Sequence, residues 1–270
     1  LSKSIKSLEK SLGVPLLERG RFGVSPTPYG QALMQHGQVV EAELRHALGE
    51  IAALKGSQRG HVIVGCGPTE ANRLLPQALM AWQQSHPELT VTVLYGLNES
   101  LMPWVKNGEV DFALSSVPAR SSDADLVHET LFTESAVVVA RADHPLGHKR
   151  TVHASELLGQ VWVLPRPREL ERLAFEDFFL AHQLLPPKAQ IETTSTVLMK
   201  SLVMQSDALT FIPQELIHWE VQAGQLRALP VAGTDWARRV GITRRRSGSR
   251  SAACLSLQAS LKGVAQRHFA

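Results

Sequence analysis

The start of the chain has a helical repeat of apolar residues. Ile5, Leu8 and Leu12 recur at the spacing of one helix face, with serines and lysines on the other faces. This pattern predicts a short amphipathic helix over residues 1–12, which ends at Gly13 as a glycine C-cap does. The segment ERGRFGVSPTP (18–28) is rich in Gly, Arg and Pro and lies between two apolar runs, so it predicts a small hairpin or wing.

A second helical pattern runs from Thr27 to Lys55, with Pro28 in its first turn and Gly56 as its stop. Its apolar positions repeat every 3.5 residues, which is typical of a helix that packs against a partner helix. Packing on the helix's own domain is the alternative. We assign dimerisation to six of these positions: Leu33, Val40, Leu44, Ala47, Ile51 and Leu54.

Beyond GSQRG (56–60), short β-type runs alternate with helical patterns, which predicts an α/β fold with a parallel sheet and covering helices. The predicted strands are 61–65, 89–96, 110–116, 136–140, 161–165, 208–213 and 239–245. The predicted helices are 74–85, 99–107, 168–183, 196–205, 216–221 and 252–268.

Charge is unevenly distributed along the chain, although the total is only +3. Residues 1–28 hold five basic groups and two acidic ones, residues 238–250 hold six arginines and no acid, and the remainder is therefore acidic. This distribution indicates an acidic ligand-handling body joined to a nucleic-acid-binding segment, with scattered solvated charge as the alternative. The arginines near the end (Arg244, Arg245, Arg246 and Arg250) fit a solvated edge or an intersubunit contact better than a second DNA patch.

Several classes of protein are disfavoured. No apolar run reaches the roughly 18 residues of a membrane span, and the polar, basic start lacks the apolar stretch of an export signal, so we expect a cytoplasmic protein. Cys66 and Cys254 form no ligand or redox motif. GCGPT (65–69) lacks the rest of a nucleotide-binding loop, and no hydrolase elbow or metal-site spacing is present. We therefore expect no enzyme activity, no metal and no cofactor.

Five sequence elements together resemble one known family. They are LSKSIKSLEKSLGVPLLER (1–19), GVSPTPYGQAL (23–33), RGHVIVGCGPTEANRLLPQALMAWQQSHPEL (59–89), LMPWVKNGEVDFAL (101–114) and ARADHPLG (140–147). In this order and at these spacings they resemble the LysR-type transcriptional regulators over essentially the whole chain. Two departures are Phe22, where the wing often has a basic residue, and Pro26, where it usually has leucine. The family pattern also has about two more helices before Leu1, so we expect the DNA-binding domain to be incomplete in this chain.

The resemblance implies a winged helix-turn-helix, a dimerising linker helix, and a regulatory region of two α/β subdomains like a periplasmic binding protein. The implied boundaries are 1–27 for the partial DNA-binding domain, 28–57 for the linker helix, 61–139 with 237–270 for subdomain I, and 140–236 for subdomain II. The implied function is a DNA-binding regulator controlled by a small-molecule effector in the cleft between the subdomains. A cytoplasmic small-molecule binding protein, or an enzyme on such a fold, is the alternative. The implied partners are double-stranded operator DNA, an effector and further copies of the chain as a dimer or tetramer, with RNA polymerase as an additional candidate.

The resemblance makes the first helix the recognition helix, which in this motif lies in the major groove. The candidate DNA contacts are Ser2, Lys3, Ser4, Lys6 and Ser7 on that helix and Arg19 and Arg21 on the wing. Serine hydroxyls and lysine ammonium groups suit phosphates and base edges, and arginines neutralise phosphates. A merely solvated basic face is the alternative.

Ligands of open α/β sheets bind beyond the carboxyl ends of the strands. This rule and the resemblance give the candidate effector residues Gly67, Pro68, Thr69, Glu70, Asn98, Glu99, Ser100, Pro165, Arg166, Thr193, Thr194 and Ser195. Helix capping by the same hydroxyl and amide groups is the competing explanation. The neighbouring arginines (Arg73, Arg166, Arg168 and Arg172) suggest an organic carboxylate as effector. A polyol or sugar with Glu70 or Glu99 as acceptor is the alternative. We expect Trp104, Trp162 and Phe175 to lie in the core.

Overall fold

A computed structural model describes residues 2–21, 23–54, 60–118, 123–234 and 236–269. The helices are α1 (Ser2–Leu12), α2 (Pro28–Leu54), α3 (Pro68–Asn72), α4 (Leu74–Ser85), α5 (Asn98–Asn107), α6 (Leu170–Ala181), α7 (Thr196–Met204), α8 (His218–Gln222) and α9 (Ala252–His268). The strands are β1 (Leu17–Gly20), β2 (Gly23–Pro26), β3 (Gly60–Cys66), β4 (Leu89–Tyr95), β5 (Phe112–Val117), β6 (Leu126–Arg141), β7 (Val163–Leu164), β8 (Ile191–Glu192), β9 (Thr210–Pro213), β10 (Leu226–Ala228) and β11 (Ala237–Arg245). Single 3₁₀ turns occupy Pro145–His148, Ala154–Leu157 and Gln214–Ile217.

The predicted hairpin is confirmed, and it is tied to both flanking helices. β1 and β2 pair antiparallel. The Glu9 carboxylate of α1 accepts hydrogen bonds from the backbone N–H groups of Leu16 (2.8 Å) and Leu17 (3.2 Å). Thr27 donates its hydroxyl to the Pro15 carbonyl and accepts from the Gly30 amide, so it caps the start of α2. A Cβ at Gly30 would lie 2.0 Å from the Leu16 carbonyl oxygen, so only glycine fits this contact.

The main sheet is mixed, which corrects the expectation of a parallel one. Its order is β10-β6-β11-β5-β3-β4, with β9 pairing a further part of β6. Only β3 pairs in parallel, with β4 and β5, whereas β11 is antiparallel to both β5 and β6. β5 and β6 run in the same direction, and β11, which comes from a distant part of the chain, lies between them and is antiparallel to both. β6 itself is much longer than the predicted strand 136–140.

Two hydrophobic cores form on either side of the middle of β6. Core I packs α4 and α9 on β3, β5 and β11, around residues such as Val64, Trp82 and Leu257. Core II packs α6 on the second half of β6 and on β7 and β9, around Trp162 and Phe175. These two aromatic residues are core residues as predicted, while Trp104 is half-buried beside a smaller cluster. Because β6 runs unbroken from one core into the other, it joins the two halves of the body.

In the described residues, no helix is both long enough and apolar enough to cross a membrane.

Candidate functional site

Helix α2, called the linker helix below, lies against the body of the protein at one close contact. Ala42 is 1% exposed, and a Cβ on Gly108 would lie 2.8 Å from the Ala42 Cβ. Gly108 has φ +74°, in the left-handed region that favours glycine, and it ends α5. The small side chain of Ala42 and the missing side chain of Gly108 therefore let the two helices approach.

Polar contacts surround this point and hold the linker helix in place. The buried carboxylate of Asp111 accepts from the Ile63 amide at 2.8 Å, lies 2.7 Å from His46 Nε2 and 3.4 Å from Arg45 Nη2. Burial raises the pKa of Asp111, but the hydrogen bonds from His46 and Ile63 and the Arg45 charge outweigh burial and hold that pKa below its usual value. Asp111 is therefore a charged anchor for the linker helix.

The end of β11 makes a second contact with the same helix. Arg245 donates to the Glu43 carboxylate at 2.9 Å, and Ser249 also donates to it. The neighbouring Arg246 donates to the backbone carbonyl of Ala124. Arg245 and Arg246 thus make contacts within one chain. The sequence had predicted a solvated edge or an intersubunit contact for this arginine cluster.

The opposite face of the linker helix, called its bare face below, is apolar and exposed to solvent. At about 100° per residue, Val40 and Leu44 lie about 160° around the helix from Ala42. Val40 is 67% exposed and Leu44 60% exposed. All six predicted dimerisation residues, Leu33, Val40, Leu44, Ala47, Ile51 and Leu54, are exposed. Gly56, the predicted stop, lies outside the described residues.

The predicted DNA contacts whose side chains the structure describes are all exposed. Lys3, Ser4, Lys6 and Ser7 of α1 are exposed, as are Arg19 and Arg21 of the hairpin. The backbone of Ser2 begins α1, but its side chain and the whole of Phe22 lie outside the described residues.

Loops from both halves of the body meet in one cleft, which consists of two adjoining cavities. The larger cavity is open to solvent, includes about 620 Å³ of space together with its mouth, and lies between the ends of β3 and β5 and the starts of α5 and α6. The smaller one, of about 400 Å³, extends toward the start of α7. Both are lined by Pro68, Leu97, Glu169 and Glu171.

Most of the predicted effector residues line this cleft or its rim. The larger cavity is lined by Gly67, Pro68, Glu70, Asn98 and Glu99, the smaller by Pro68, Thr69, Pro165, Thr193 and Thr194, and Ser195 lies at the rim. Ser100 and Arg166, both among the described residues, line neither cavity. Ser100 is exposed and lies beyond the start of α5. Arg166 is also exposed, and its backbone amide donates to the Glu169 carboxylate while its carbonyl accepts from the Glu169 amide. Capping is also seen, since the Ser195 hydroxyl accepts from the Leu198 amide.

Two of the four arginines proposed for a carboxylate effector already have acidic partners. Arg73 pairs with Glu215 at 3.0 Å, and Arg172 pairs with Glu176 and Glu192. Arg168 lines the larger cavity and has φ +76°, which is uncommon for a residue with a side chain.

The floor of the cleft contains a buried ion cluster around Arg238 of β11. Its guanidinium donates, at 2.6 Å in each case, to Glu134 of β6, Glu171 of α6 and the hydroxyl of Thr69. Glu70 lies 3.8 Å from it. Arg238 thus links residues of β6 and α3 to α6 on the other half of the body.

This cluster has more carboxylates than cations, which perturbs their titration. Burial, and next the charge of nearby Glu70, raises the pKa of Glu134 to about 7 against the pull of Arg238. Burial likewise raises the pKa of Glu70. At neutral pH the cluster therefore holds on to a proton that separate carboxylates would release.

The two cysteines are buried in core I, one on β3 and one on α9. Burial, followed by the negative charge of Glu70, raises the pKa of Cys66 well above its usual value. Burial, followed by the charge of Asp111, raises the pKa of Cys254 to about 12. Neither thiol has the low pKa and exposure that reactive cysteines need.

Family models match both parts of the chain. The LysR substrate binding domain matches residues 55–266, and the bacterial regulatory helix-turn-helix of the lysR family matches residues 1–31. The chain belongs to the LysR family of transcriptional regulators. The predicted fold, a periplasmic-binding-protein-like regulatory region preceded by a linker helix and a segment of the helix-turn-helix family, is therefore confirmed.

Relatives in the LysR family resemble the chain along nearly all of its length. The HTH-type transcriptional regulator GalR of Pseudomonas putida is 30% identical over 268 residues, which are 98% of this chain and 66% of GalR. The chain thus spans slightly less than two thirds of that relative. This relative is named as a regulator and not as an enzyme.

Solved structures share the fold. The regulatory domain of CcmR from Synechocystis PCC6803, in complex with 2-PG, matches with a TM-score of 0.68 at 20% identity, covering 77% of this chain and 98% of that one. Full-length CbnR in complex with its target DNA matches with a TM-score of 0.60 at 20% identity, covering 98% of this chain and 88% of that one.

Some cleft residues were not predicted from the sequence. Ser115 and Ser116 lie near the end of β5 and line the larger cavity, so the strand-end rule used for β3 and β4 could have been extended to them. Two residues of the ion cluster beside the cleft, Glu134 and Arg238, lie inside strands, where nothing in the local sequence signals a site.

Proposed function

We propose that this chain is part of a DNA-binding regulator in which a small effector in the cleft controls operator binding or promoter activation. The observation that carries this proposal is the cleft itself. It is walled by loops of both halves of the body, and Arg238 ties these halves together across its floor. The complex of CcmR with 2-PG supports a small-molecule site in this domain.

For DNA binding, the support is the exposed basic face of α1 and the hairpin. We assign phosphate and base contacts to Lys3, Ser4, Lys6 and Ser7, with Arg19 and Arg21 on the wing. The structure of CbnR with its target DNA supports this role for the matching region. Operator DNA, RNA polymerase as a further partner and a cytoplasmic location remain predictions.

Self-association is proposed through the bare face of the linker helix. An exposed stripe with a 3.5-residue repeat is suited to pack against the same stripe of a second copy. The effector would then act by binding one arrangement of the two halves more tightly than another. The linker helix, which contacts Asp111 and Arg245, would transmit the change to the DNA-binding heads.

The test is an electrophoretic mobility shift of the full-length protein on DNA upstream of its own gene, across a salt series. We expect sequence-selective binding that weakens with salt, because counterions are released from the DNA. Lys3→Ala and Lys6→Ala should each weaken binding. Each should also make the negative slope of the logarithm of the association constant against the logarithm of the salt concentration shallower by about 0.9.

Lys188→Ala is the matched control, because this exposed lysine lies far along the chain from the basic face. Its slope should equal that of the unmodified protein. Intact, dimeric protein that binds none of this DNA would contradict the proposed function.

A further inference from the structure

The walls of the cleft are strongly acidic. Four carboxylates line its larger cavity: Glu70, Glu99, Glu169 and Glu171. Arg168 is the single cationic side chain among the residues that line this cavity. An anion entering this space would meet a net negative charge in a region of low effective dielectric, where repulsion is strong.

Glu70 is the innermost of these carboxylates and has an unused acceptor. The residue is 2% exposed, and its Oε1 atom has no hydrogen-bond partner. Just behind it, Oε2 of the buried Glu134 also has no partner. Buried polar atoms are nearly always hydrogen-bonded, so unpaired acceptors beside a cavity indicate a ligand that donates.

The buried cation of the ion cluster does not satisfy these groups. Arg238 already donates to Glu134, Glu171 and Thr69, and its Nη2 is 3.8 Å from the Glu70 Oε1 atom, beyond hydrogen-bond distance. One guanidinium thus faces three carboxylates, which leaves an excess of negative charge at the floor of the cleft.

The helix starts that surround the cleft do not reverse this balance. A helix N-terminus attracts anions, but here glutamate side chains of the protein already lie at the helix starts. Glu99 lies in the first turn of α5 and Glu171 in the first turn of α6. At the start of α7, the Ser195 hydroxyl accepts from the Leu198 amide.

We propose that the effector is an organic cation, a molecule with a protonated amine or guanidinium group that binds between Glu70, Glu169 and Glu171. This inference rests on the proposed function, since it names the ligand class of the same cleft. It replaces the organic carboxylate suggested by four arginines of the sequence, because Arg73 and Arg172 are paired with glutamates, Arg166 lines neither cavity, and only Arg168 lies in the cleft.

Binding of the cation would also change the contact between the two halves of the body. A donor placed between Glu70 and Glu171 competes with Arg238 for the Glu171 carboxylate, which belongs to α6. Binding would therefore exchange one contact between the halves for another, and this exchange gives the ligand a preference for one arrangement.

The experiment is calorimetric titration of the full-length protein with putrescine, agmatine and spermidine. Adipate, a dianion, and the neutral compounds 1,4-butanediol and ribitol serve as comparisons of similar size. We expect saturable binding of at least one amine, with no saturable binding of adipate, 1,4-butanediol or ribitol at concentrations up to about 10 mM.

Variants then locate the binding site. Glu169→Gln and Glu171→Gln should each weaken amine binding about tenfold or more. Both residues are only partly buried, so neither substitution empties a core position. Glu88→Gln is the matched control, since it removes the same charge from an exposed position at the start of β4, and it should leave the affinity unchanged.

Three outcomes would overturn the inference: saturable binding of adipate or of a neutral compound without amine binding, no amine binding up to the limit of the titration, or amine binding that survives both substitutions. The mobility shift on the same preparation separates this from the proposed function. Intact DNA binding without amine binding rejects only the cation, whereas amine binding without DNA binding rejects only the regulator.

Discussion

Gly108 is the residue at which the linker helix comes closest to the body. The positive φ of Gly108 and its closeness to Ala42 both exclude a side chain there. Glycines in the linker helix itself are different, because a Cβ at Gly37 would meet no atom within 4 Å. The same substitution should therefore have opposite effects at these two positions.

We expect Gly108→Ala to lower the free energy of unfolding by about 1–3 kcal/mol, because a strained backbone and a close contact must both be accommodated. Gly37→Ala should raise it by about 0.5–1 kcal/mol, since alanine is the better helix former. Urea unfolding followed by circular dichroism measures both. Equal effects of the two substitutions would show that the linker helix does not dock at Gly108.

Helices and strands could be predicted where residues of the element itself specify it. Helices α4 and α9 match the predicted ranges 74–85 and 252–268, because each is specified by its own periodicity and end signals. Short pairings such as β8 and β10 were missed, since strands of two or three residues have no period to detect.

The ion cluster could not be predicted for a related reason. Arg238 meets Glu134, Glu171 and Thr69 across sequence separations of 104, 67 and 169 residues. No sequence pattern links such positions without an alignment. The strand-end rule, in contrast, selected candidates most of which line the cleft, because it depends only on where strands stop.

The linker helix has two opposite faces with different roles, and a substitution on the bare face tests one of them. Leu44→Asp should raise the dissociation constant of the dimer about 30-fold or more, since a charge at the centre of an apolar seam costs about 2 kcal/mol or more. Sedimentation equilibrium of the full-length protein measures this constant.

Gln35→Asp is the control for this experiment, because Gln35 is an exposed polar residue of the same helix outside the proposed seam. It should leave the dissociation constant near its original value. A Leu44→Asp protein that stays as tightly dimeric as the original would place the interface elsewhere.

For the whole molecule, the junction between the two halves should be sensitive to pH. The pKa of Glu134 is about 7 in the folded protein, against an ordinary value of 4.5. A raised carboxyl pKa stabilises the folded state fully below pH 4.5, and this contribution is lost as the pH rises to about 7. The unfolding free energy should therefore fall over this range, by at most about 1.4 kcal/mol per pH unit from this group.

Glu134→Gln should flatten the fall, because the amide does not titrate and its oxygen can still accept from Arg238. Glu88→Gln should leave the slope as it is in the unmodified protein, since that residue is exposed and outside the cluster. Urea unfolding in steps from pH 4.5 to pH 8 gives the curves, and parallel curves for the two variants would refute the role of Glu134.

The linker helix is held to the body at its contact with Asp111 and Arg245, so a rotation at this contact would displace the far end of the helix. From its contact near Arg45 to its start at Pro28, the helix extends about 25 Å at 1.5 Å per residue. If the body turns the contact by about 8°, the far end moves about 3.5 Å, close to the roughly 3.4 Å of helix axis that each phosphate of one DNA strand occupies. In the proposed regulator, a small twist of β6 and β11 would thus displace the start of the linker helix by a distance close to the rise of one base pair.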